Sequence, residues 1–309
     1  MTFNRTTNNV VLYHKNCLDG MCAAFLMHHF FLDHAEQAEL IAVNYGNPMP
    51  DVTGKSVYIV DFSYNRETIE VARKQAKSIT MLDHHLTAAE EWGGYDVVCL
   101  EADSESCSVD IELIESKSGA GIVYDYVCKY RDDLSKSKLD NVRVRQVVAA
   151  VQDRDLWKFK LHDTKAITEA LAFIPKTIKA WDEFVLNSSD YEYKCSVTEG
   201  HAFLKLKENM AQSYAKVHQM VSFQGTVVPM VNVASNFASR VGEILCENNH
   251  YSLMYVISTT GIICSLRGDV NSVIDVSAIA KKFGGGGHQH AAGFMLRHEQ
   301  LSDLLRGKL

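Results

Sequence analysis

Short apolar runs alternate with helix-forming segments along the first part of the chain. Runs at 10–13, 57–60 and 79–82 have the length and composition of buried strands. Segments 21–27 and 65–76, which lie between them, favour helices. Strands that alternate with helices in this way are typical of a doubly wound, mostly parallel sheet. We therefore predict an α/β fold for the N-terminal part.

The rest of the chain divides into a helical stretch and a second strand-rich part. Segment 164–220 is mostly helical in pattern, and strand-like runs return at 227–233, 252–258 and 261–267. Helices near 236–248 and 274–283 accompany these strands. The pattern predicts a first domain over 1–190, a helical linker over 191–220 and a smaller α/β domain over 221–309.

Composition narrows the class of protein. The 309 residues suffice for two domains, and 47% hydrophobic with 22% charged residues is ordinary for a globular chain. The formal net charge of −7 argues against a broad basic face for long duplex nucleic acid, but it leaves room for a local pocket that holds one or a few phosphates.

Targeting signals and cysteines point to the cytoplasm. No apolar run reaches the roughly 18 residues that a membrane-spanning helix needs, and the first residues show no secretion-signal pattern. The eight cysteines contain no C-x-x-C pair, so we expect reduced thiols. We expect a cytoplasmic protein without a membrane contact.

Polar groups follow three of the predicted strands at the point where each strand ends. They are His14, Cys17 and Asp19 after the first strand, Asp61 after the second, and Asp83, His84 and His85 after the third. Parallel strands bring such ends to one edge of a sheet. Imidazole, thiolate and carboxylate are ligands of Mn²⁺, Zn²⁺ or Fe²⁺. Asp19 and Asp83 could each be an ordinary helix cap, but three strand ends together favour a metal site.

Two further segments carry candidate chemistry. Asp153 and Asp155 flank Arg154 at the end of a predicted helix, either as a surface ion-pair run or as a source of another metal ligand. Four glycines at 284–287 precede His288 and a strand-like run, which disfavours a flexible linker. We interpret them as a backbone cradle for phosphate or carboxylate, with Arg267 as a bidentate partner.

These motifs, in this order, resemble the DHH–DHHA1 phosphoesterase family. The motifs are H-x-x-C-x-D-G at 14–20, V-D at 60–61, L-D-H-H at 82–85, D-R-D-L-W at 153–157 and G-G-G-G-H at 284–288. That family takes in RecJ-type exonucleases, nanoRNases with 3′-phosphoadenosine-phosphatase activity, and cyclic-dinucleotide phosphodiesterases.

The resemblance implies a two-domain hydrolase with two divalent ions, Mn²⁺ favoured over Mg²⁺, Co²⁺ and Zn²⁺. It implies that Asp61 bridges the ions, Asp83 orients His84, and His85 faces the scissile phosphate. The implied ligands of the first ion include His14, and those of the second are Asp19, His84 and Asp153. The implied nucleotide-binding residues are Arg267, Gly285, Gly286, Gly287 and His288.

Cys17 departs from the pattern of many members, which have aspartate at that position. A thiolate is a softer ligand than a carboxylate, so the first site could prefer a metal other than Mn²⁺ or bind its ion weakly. Asp153 is preferred to Asp155 because Trp157, four residues on, matches the aromatic that follows the family's acid.

We expect hydrolysis of short oligonucleotides or small nucleotide phosphoesters, because the acidic charge and modest size disfavour tracking along long strands. The alternatives are a cyclic- or linear-dinucleotide phosphodiesterase in signalling, and a nucleotide-binding protein whose catalysis Cys17 has weakened. The sequence leaves the oligomeric state open, with a homodimer as one alternative.

Overall fold

The protein is seen here as a computed structural model that describes residues 8–32, 38–130, 139–269 and 271–309. The first seven residues, on which the expectation about a secretion signal rests, lie outside this part. Contacts divide the chain into two units, Met1–Ala202 and Phe203–Leu309. The division falls inside the helix Asp190–Ala215.

Six strands form the sheet of the first unit. They are β1 (Asn9–His14), β2 (Ala38–Val43), β3 (Ser56–Val60), β4 (Ser78–Asp83), β5 (Val97–Leu100) and β6 (Val109–Leu113). Their order is β2–β1–β3–β4–β6–β5, and every neighbouring pair is parallel except β5 with β6. The predicted mostly parallel, doubly wound sheet is confirmed.

Helices cover both faces of this sheet, which explains why its central strands are almost continuously apolar. Val11 packs in a core with the helices on one face, and Val10 and Leu12 pack in a core on the other. Among the residues that the structure describes, the helices of the unit are Leu18–Leu26, Arg66–Ala72, Leu86–Trp92, Gly119–Tyr130, Val142–Asp155, Thr164–Phe173, Ile178–Asp182 and the start of Asp190–Ala215, with π-helical turns at Met27–Phe31 and Glu183–Asn187.

The second unit holds another six-stranded sheet. Its strands are β7 (Gln219–Phe223), β8 (Thr226–Asn232), β9 (Tyr251–Ile257), β10 (Ile262–Gly268), β11 (Gly286–His288) and β12 (Ala291–Leu296). The order is β11–β12–β10–β9–β8–β7, antiparallel throughout except for β8 with β9. Helices Ser235–Cys246, Val276–Lys281 and Leu301–Leu305 and a 3₁₀ turn at His298–Gln300 complete the unit.

The apolar pattern does not predict β2, β6 or β7. Acids interrupt the apolar residues of the first two, as Glu39 in β2 and Asp110 and Glu112 in β6. The residues of β7 lie at the end of the segment 164–220, which we predicted to be mostly helical. β2 and β7 are edge strands, and β6 pairs with an edge strand. Strands in such places keep polar side chains toward water, which weakens their sequence signal.

The described part of the chain contains no helix that is both long and apolar enough to cross a membrane. All eight cysteines are free thiols, as the sequence predicts.

Candidate metal centre

The carboxyl ends of β1 and β3 face each other where the strand order reverses, since β2 lies on one side of β1 and β3 on the other. Ligand sites of open α/β sheets lie at such a point. His14 is the last residue of β1, and Asp61 follows β3 directly. The Asp61 Oδ2 atom lies 3.7 Å from His14 Nδ1, and its Oδ1 atom lies 3.2 Å from His84 Nε2. The two oxygens of Asp61 are therefore directed to different histidines, as in a bridging carboxylate.

Three groups of possible metal ligands lie around Asp61. In the first, the ligand atoms of His14, Cys17 and Asp61 lie within 4.8 Å of one another. In the second, the ligand atoms of Asp19, His84 and Asp155 lie equally close together. The third consists of Asp61, Asp83, His84 and His85, so the structure brings together every candidate ligand that follows the three strands.

The buried Asp19 side chain does not cap its own helix. It is held by backbone N–H groups of a helix that lies far along the chain. Cys17 is the cap residue of the helix Leu18–Leu26, so Asp19 lies in the first turn, and its interpretation as a helix cap is wrong. Its carboxylate accepts hydrogen bonds from the N–H groups of Gly119, at 2.5 Å, and Ala120, at 3.0 Å. These belong to the N-terminus of the helix Gly119–Tyr130, which favours negative charge.

Two glycines allow the backbone to approach this centre closely. A Cβ atom on Gly119 would lie 2.5 Å from the Asp61 Cβ atom, and one on Gly20 would lie 2.6 Å from the His14 carbonyl oxygen. Neither distance is possible for a real side chain, so both positions require glycine. Asp61 itself has a φ of 54°, a left-handed conformation that most non-glycine residues avoid.

Asp83 orients His85 and not the ring of His84, so that part of the implied arrangement is wrong. The fully buried Asp83 accepts from Ser63 Oγ through Oδ2, at 2.6 Å, and its Oδ1 lies 2.7 Å from His85 Nδ1. Its contact with His84 is to the main-chain N–H, at 2.8 Å. The ring of His85 is therefore fixed through Nδ1, and its Nε2 is the atom left for a ligand.

Asp153 does not face the centre, and the prediction that it is a metal ligand is wrong. Its carboxylate accepts from the N–H groups of Lys160, at 2.9 Å, and Leu161, at 3.0 Å, and from the Thr164 hydroxyl. Asp155 Oδ2 instead lies 3.5 Å from His84 Nε2. Residues two apart on a helix are about 200° apart around its axis, so these two carboxylates point in nearly opposite directions.

Trp157, the aromatic that led to the choice of Asp153, is 74% exposed. Its ring lies against Phe159, with the ring centroids 4.9 Å apart. It therefore gives no guide to which aspartate faces the centre.

Electrostatics at this edge favour a cation. Burial would lower the pKa of His84, but the hydrogen bond to Asp61 and the charges of Asp155 and Asp19 raise it to about 9. Burial and the charge of Asp61 raise the pKa of both Asp19 and Asp155. Three carboxylates so close together repel one another unless a positive charge lies between them, which a protonated His84 or a bound ion would supply.

Two buried polar atoms without hydrogen-bond partners also favour a cation at this edge of the sheet. His14 Nδ1 and Asp61 Oδ2 are buried and have no hydrogen-bond partner among the described residues. Buried polar atoms are normally paired, and a divalent ion would satisfy both. Burial raises the pKa of the Cys17 thiol, and the Asp61 charge acts in the same direction, so a thiolate there also requires a cation. The donor set fits divalent ions.

Arg267, His288 and Gly286, three of the five predicted nucleotide-binding residues, share one face of the sheet of the second unit. Arg267 in β10 lies opposite Ala291 in β12, which lies opposite His288 in β11. Residues that are directly opposite across a sheet point to the same side. The Arg267 guanidinium donates to Ser239 Oγ at 2.6 Å and to the Leu266 carbonyl at 2.9 Å.

The glycine run is not a cradle in which all four N–H groups are available. The N–H groups of Gly284 and Gly285 donate to the carbonyl oxygens of Lys281 and Ala280 and so end the helix Val276–Lys281, which corrects the interpretation for these two residues. Gly286 and Gly287 begin β11. A Cβ atom on Gly285 would lie 2.1 Å from the Gly293 carbonyl oxygen, so close packing against β12 explains this glycine.

Sequence reasoning missed Tyr45 and Phe62, which border the first ligand group. The Tyr45 ring lies 5.7 Å from that of His14 and 6.2 Å from that of His85, centroid to centroid. The Phe62 ring lies 6.0 Å from that of His14. Tyr45 comes two residues after β2, so recognition of that strand would have indicated its position at the sheet edge.

Comparison with known proteins identifies both units. The N-terminal domain of the DHH family matches residues 9–150, and the DHHA1 domain matches residues 227–307. The uncharacterized protein R106 of Acanthamoeba polyphaga mimivirus is 26% identical over 94% of this chain and 68% of its own length. Oligoribonuclease NrnB of Bacillus subtilis is 24% identical over 79% of this chain, which spans 60% of NrnB.

Solved structures share the fold. The pGpG-specific phosphodiesterase PggH of Vibrio cholerae matches with a TM-score of 0.54 and 14% identity, over 96% of each chain. The exonuclease RecJ bound to manganese matches with a TM-score of 0.52 and 12% identity, over 97% of this chain and 89% of RecJ. With both domain matches in the family's order along the chain, this protein belongs to the DHH–DHHA1 phosphoesterase family.

Proposed function

We propose that this chain is a metal-dependent phosphoesterase that hydrolyses short oligonucleotides or small nucleotide phosphoesters. The observation that carries the proposal is the pair of ligand groups that meet at Asp61, at the carboxyl edge of a parallel sheet. His14, Cys17 and Asp61 would hold one ion, and Asp19, Asp61, His84 and Asp155 the other. Two such ions would lower the pKa of a bound water and neutralise charge on the leaving oxygen.

The protein's own residues supply the rest of the chemistry. Asp83 and Ser63 fix the ring of His85 beside the ligand groups, so its Nε2 atom can hydrogen-bond an oxygen of the scissile phosphate. The N-terminus of the helix Gly119–Tyr130 holds Asp19 in place. On the second unit, Arg267, His288 and Gly286 share the sheet face that we propose for nucleotide binding.

The net charge of the chain and the names of two similar proteins both favour short substrates. A net charge of −7 provides no extended basic track for a long strand. The relative NrnB is named as an oligoribonuclease, and PggH as a pGpG-specific phosphodiesterase. Both names describe short nucleotide substrates.

Cys17 does not by itself argue for a retired site, because its thiol lies with His14 and Asp61 in a complete three-ligand group. We propose Mn²⁺ as the ion, in line with the RecJ structure that contains manganese. The thiolate predicts tighter binding of Zn²⁺ or Co²⁺ at this position than an aspartate would give.

The test is turnover by metal-free protein titrated with Mn²⁺, Mg²⁺, Co²⁺ or Zn²⁺. The substrates are an RNA dinucleotide, a longer RNA, linear and cyclic dinucleotides, and 3′-phosphoadenosine 5′-phosphate. We expect metal-dependent release of mononucleotide or phosphate, fastest on short linear substrates. Cleavage confined to cyclic dinucleotides would move the function to signalling.

The control variant is Asp61→Asn, which keeps the side-chain shape and removes the bridging charge. It should lose turnover while its circular dichroism stays that of the wild type. Binding of nucleotide without turnover at any metal would overturn the proposal of an active enzyme.

A further inference from the structure

A cavity of about 450 Å³ opens beside the first ligand group. Its lining includes Tyr45, Phe62 and Ser63, which also form the surroundings of the catalytic histidines. Ser63 is the residue that donates to Asp83, and Tyr45 is the one whose ring meets both His14 and His85. The cavity therefore lies next to the residues that surround the metal centre. Its volume lies within the range of small-ligand pockets, roughly 300–1,000 Å³.

Three aromatic rings in series form one side of this cavity. The centroids of Tyr45 and Phe62 are 4.9 Å apart, and those of Phe62 and Tyr64 are 5.0 Å apart. Phe62 and Tyr64 are buried, whereas Tyr45 is 51% exposed. The two buried rings support a third ring whose surface remains accessible. Large exposed aromatics with such support bind flat ligands at low entropic cost.

The loop that carries Tyr45 is held in one conformation. The Asn47 N–H donates to the Asn44 carbonyl at 2.9 Å, and the Asn44 N–H donates to Asn47 Oδ1 at 2.9 Å. The Tyr45 N–H donates to Asn44 Oδ1 at 3.0 Å. Gly46 occupies the left-handed position that closes the turn, with φ of 83°. The ring of Tyr45 is thus positioned before any ligand arrives.

Polar groups that line the cavity can meet the edge of a planar ligand. Asn47 and Asn65 are among them, and the Oδ1 atom of each is occupied, by the N–H groups of Asn44 and Thr68. Their amide N–H groups remain the donors that these side chains can offer. Glu91 also lines the cavity, and because its Oε1 atom accepts from the Arg66 N–H at 2.9 Å, Oε2 is the acceptor that it can offer. A ring with carbonyl and amino groups at its edge, as in a nucleobase, matches this set.

We propose that this cavity is a nucleobase subsite, in which the base adjacent to the scissile phosphate stacks on Tyr45. The inference rests on the proposed function, because the phosphate is placed at the metal centre. It narrows the substrate class to phosphoesters that carry a base on this side. Inorganic polyphosphate and simple alkyl phosphates lack the group that the cavity receives. Stacking tolerates any base, so the subsite selects for nucleotides without selecting a sequence.

The test compares an RNA dinucleotide with the same compound made abasic on one side or the other. For wild-type protein with Mn²⁺, we expect kcat/KM to be roughly 10- to 100-fold higher for the intact dinucleotide than for one of the abasic forms, the range that base stacking supplies. In Tyr45→Ala this preference should fall toward one, mainly through KM. Tyr45→Phe keeps the ring face and should retain most of the preference.

A matched control is Tyr191→Ala, which truncates an exposed tyrosine in the helix Asp190–Ala215 and should leave the preference unchanged. Should Tyr45→Ala fail to fold, Tyr45→Leu fills the space against Phe62 without an aromatic face. Equal rates on intact and both abasic substrates, or an unchanged preference in Tyr45→Ala and Tyr45→Leu, would overturn the subsite and leave the phosphoesterase proposal standing. Absence of turnover on every substrate would instead overturn the proposed function.

Discussion

At the scale of single residues, Asp153 and Asp155 show how two similar side chains take different tasks. Asp153 holds a turn through Lys160, Leu161 and Thr164, and Asp155 faces His84. We expect Asp155→Ala to lower kcat/KM on the order of 100-fold or more, because it removes a proposed metal ligand. Metal content by mass spectrometry should fall with it.

Asp153→Ala should act on stability instead. It leaves two backbone N–H groups and a hydroxyl without their charged acceptor, so the free energy of unfolding should fall by about 2–4 kcal/mol. Urea unfolding of the two variants, side by side, measures the difference. If Asp153→Ala lost metal and kept its stability, the assignment would be reversed.

His84 and His85 are also neighbours that we expect to have different roles, one as a metal ligand and the other in contact with the substrate. Because Asp83 engages His85 Nδ1, we expect His85→Ala to retain metal and to lose roughly 10²–10⁴-fold in kcat, the usual contribution of a positioned proton donor or acceptor. His84→Ala should lose metal as well. Metal content and single-turnover rates separate the two outcomes, and loss of metal in both variants would place His85 among the ligands.

The identity of most site residues could be predicted from sequence, because each polar group follows an apolar run. The direction of each side chain could not. Which aspartate of the pair at 153 and 155 faces the centre depends on the rotation of one helix about its axis. The partner of Asp83 depends on how the chain turns after β4, which a linear motif does not specify.

At the scale of elements, the hairpin of β11 and β12 explains part of the glycine run. Gly285→Ala should destabilise the protein by about 1–3 kcal/mol, since its Cβ atom would meet the Gly293 carbonyl and the Phe294 side chain. Gly286→Ala is the matched control, because nothing lies within 4 Å of its would-be Cβ atom. Thermal unfolding of both variants measures the effect.

The Gly285→Ala and Gly286→Ala variants also test where the nucleotide binds. If the face that holds Arg267 and His288 receives substrate, Gly286→Ala should raise KM while leaving the unfolding midpoint near that of wild type. An unchanged KM would show that this face does not receive the nucleotide, and would leave helix termination and close packing against β12 as the roles of Gly284 and Gly285. Sequence could predict that backbone approaches something closely here, but not that the neighbour is the protein's own next strand.

Whole elements were predictable where burial is complete. β1, β3 and β4 are covered on both faces, so their apolar runs are unbroken. β6 alternates apolar residues with acids, and β2 has Glu39 at its second position, so neither strand is an unbroken apolar run. β2 pairs with β1, and β6 pairs with β4. These pairings belong to the tertiary structure, so the sequence pattern alone does not predict them.

At the scale of the whole molecule, the two units should respond differently to metal. Buried Asp19 and Asp61 and the partly buried Asp155 lie in the first unit, and a cation between them would relieve their repulsion. A ligand that binds the folded state at 100 times its Kd adds about 2.7 kcal/mol to stability.

We therefore expect Mn²⁺ to slow amide hydrogen exchange at the ends of β1, β3 and β4 and to leave β8, β9 and β10 unchanged. Hydrogen exchange read by mass spectrometry gives the comparison, with Asp61→Asn as the control that should show no effect. Protection confined to the second unit would contradict the placement of the ions.

The backbone of Asp61 has a consequence for how this sequence can change over generations. Its φ of 54° suits glycine and asparagine better than aspartate, and its buried carboxylate gains nothing from water. A substitution to Asn suits this backbone and keeps a side-chain oxygen near His84, so it should yield a protein that is folded and chemically inert. Folding therefore opposes this change only weakly, and continued use of the reaction is the force that would keep aspartate there. A descendant with Asn at this position is expected to persist as a stable nucleotide receptor.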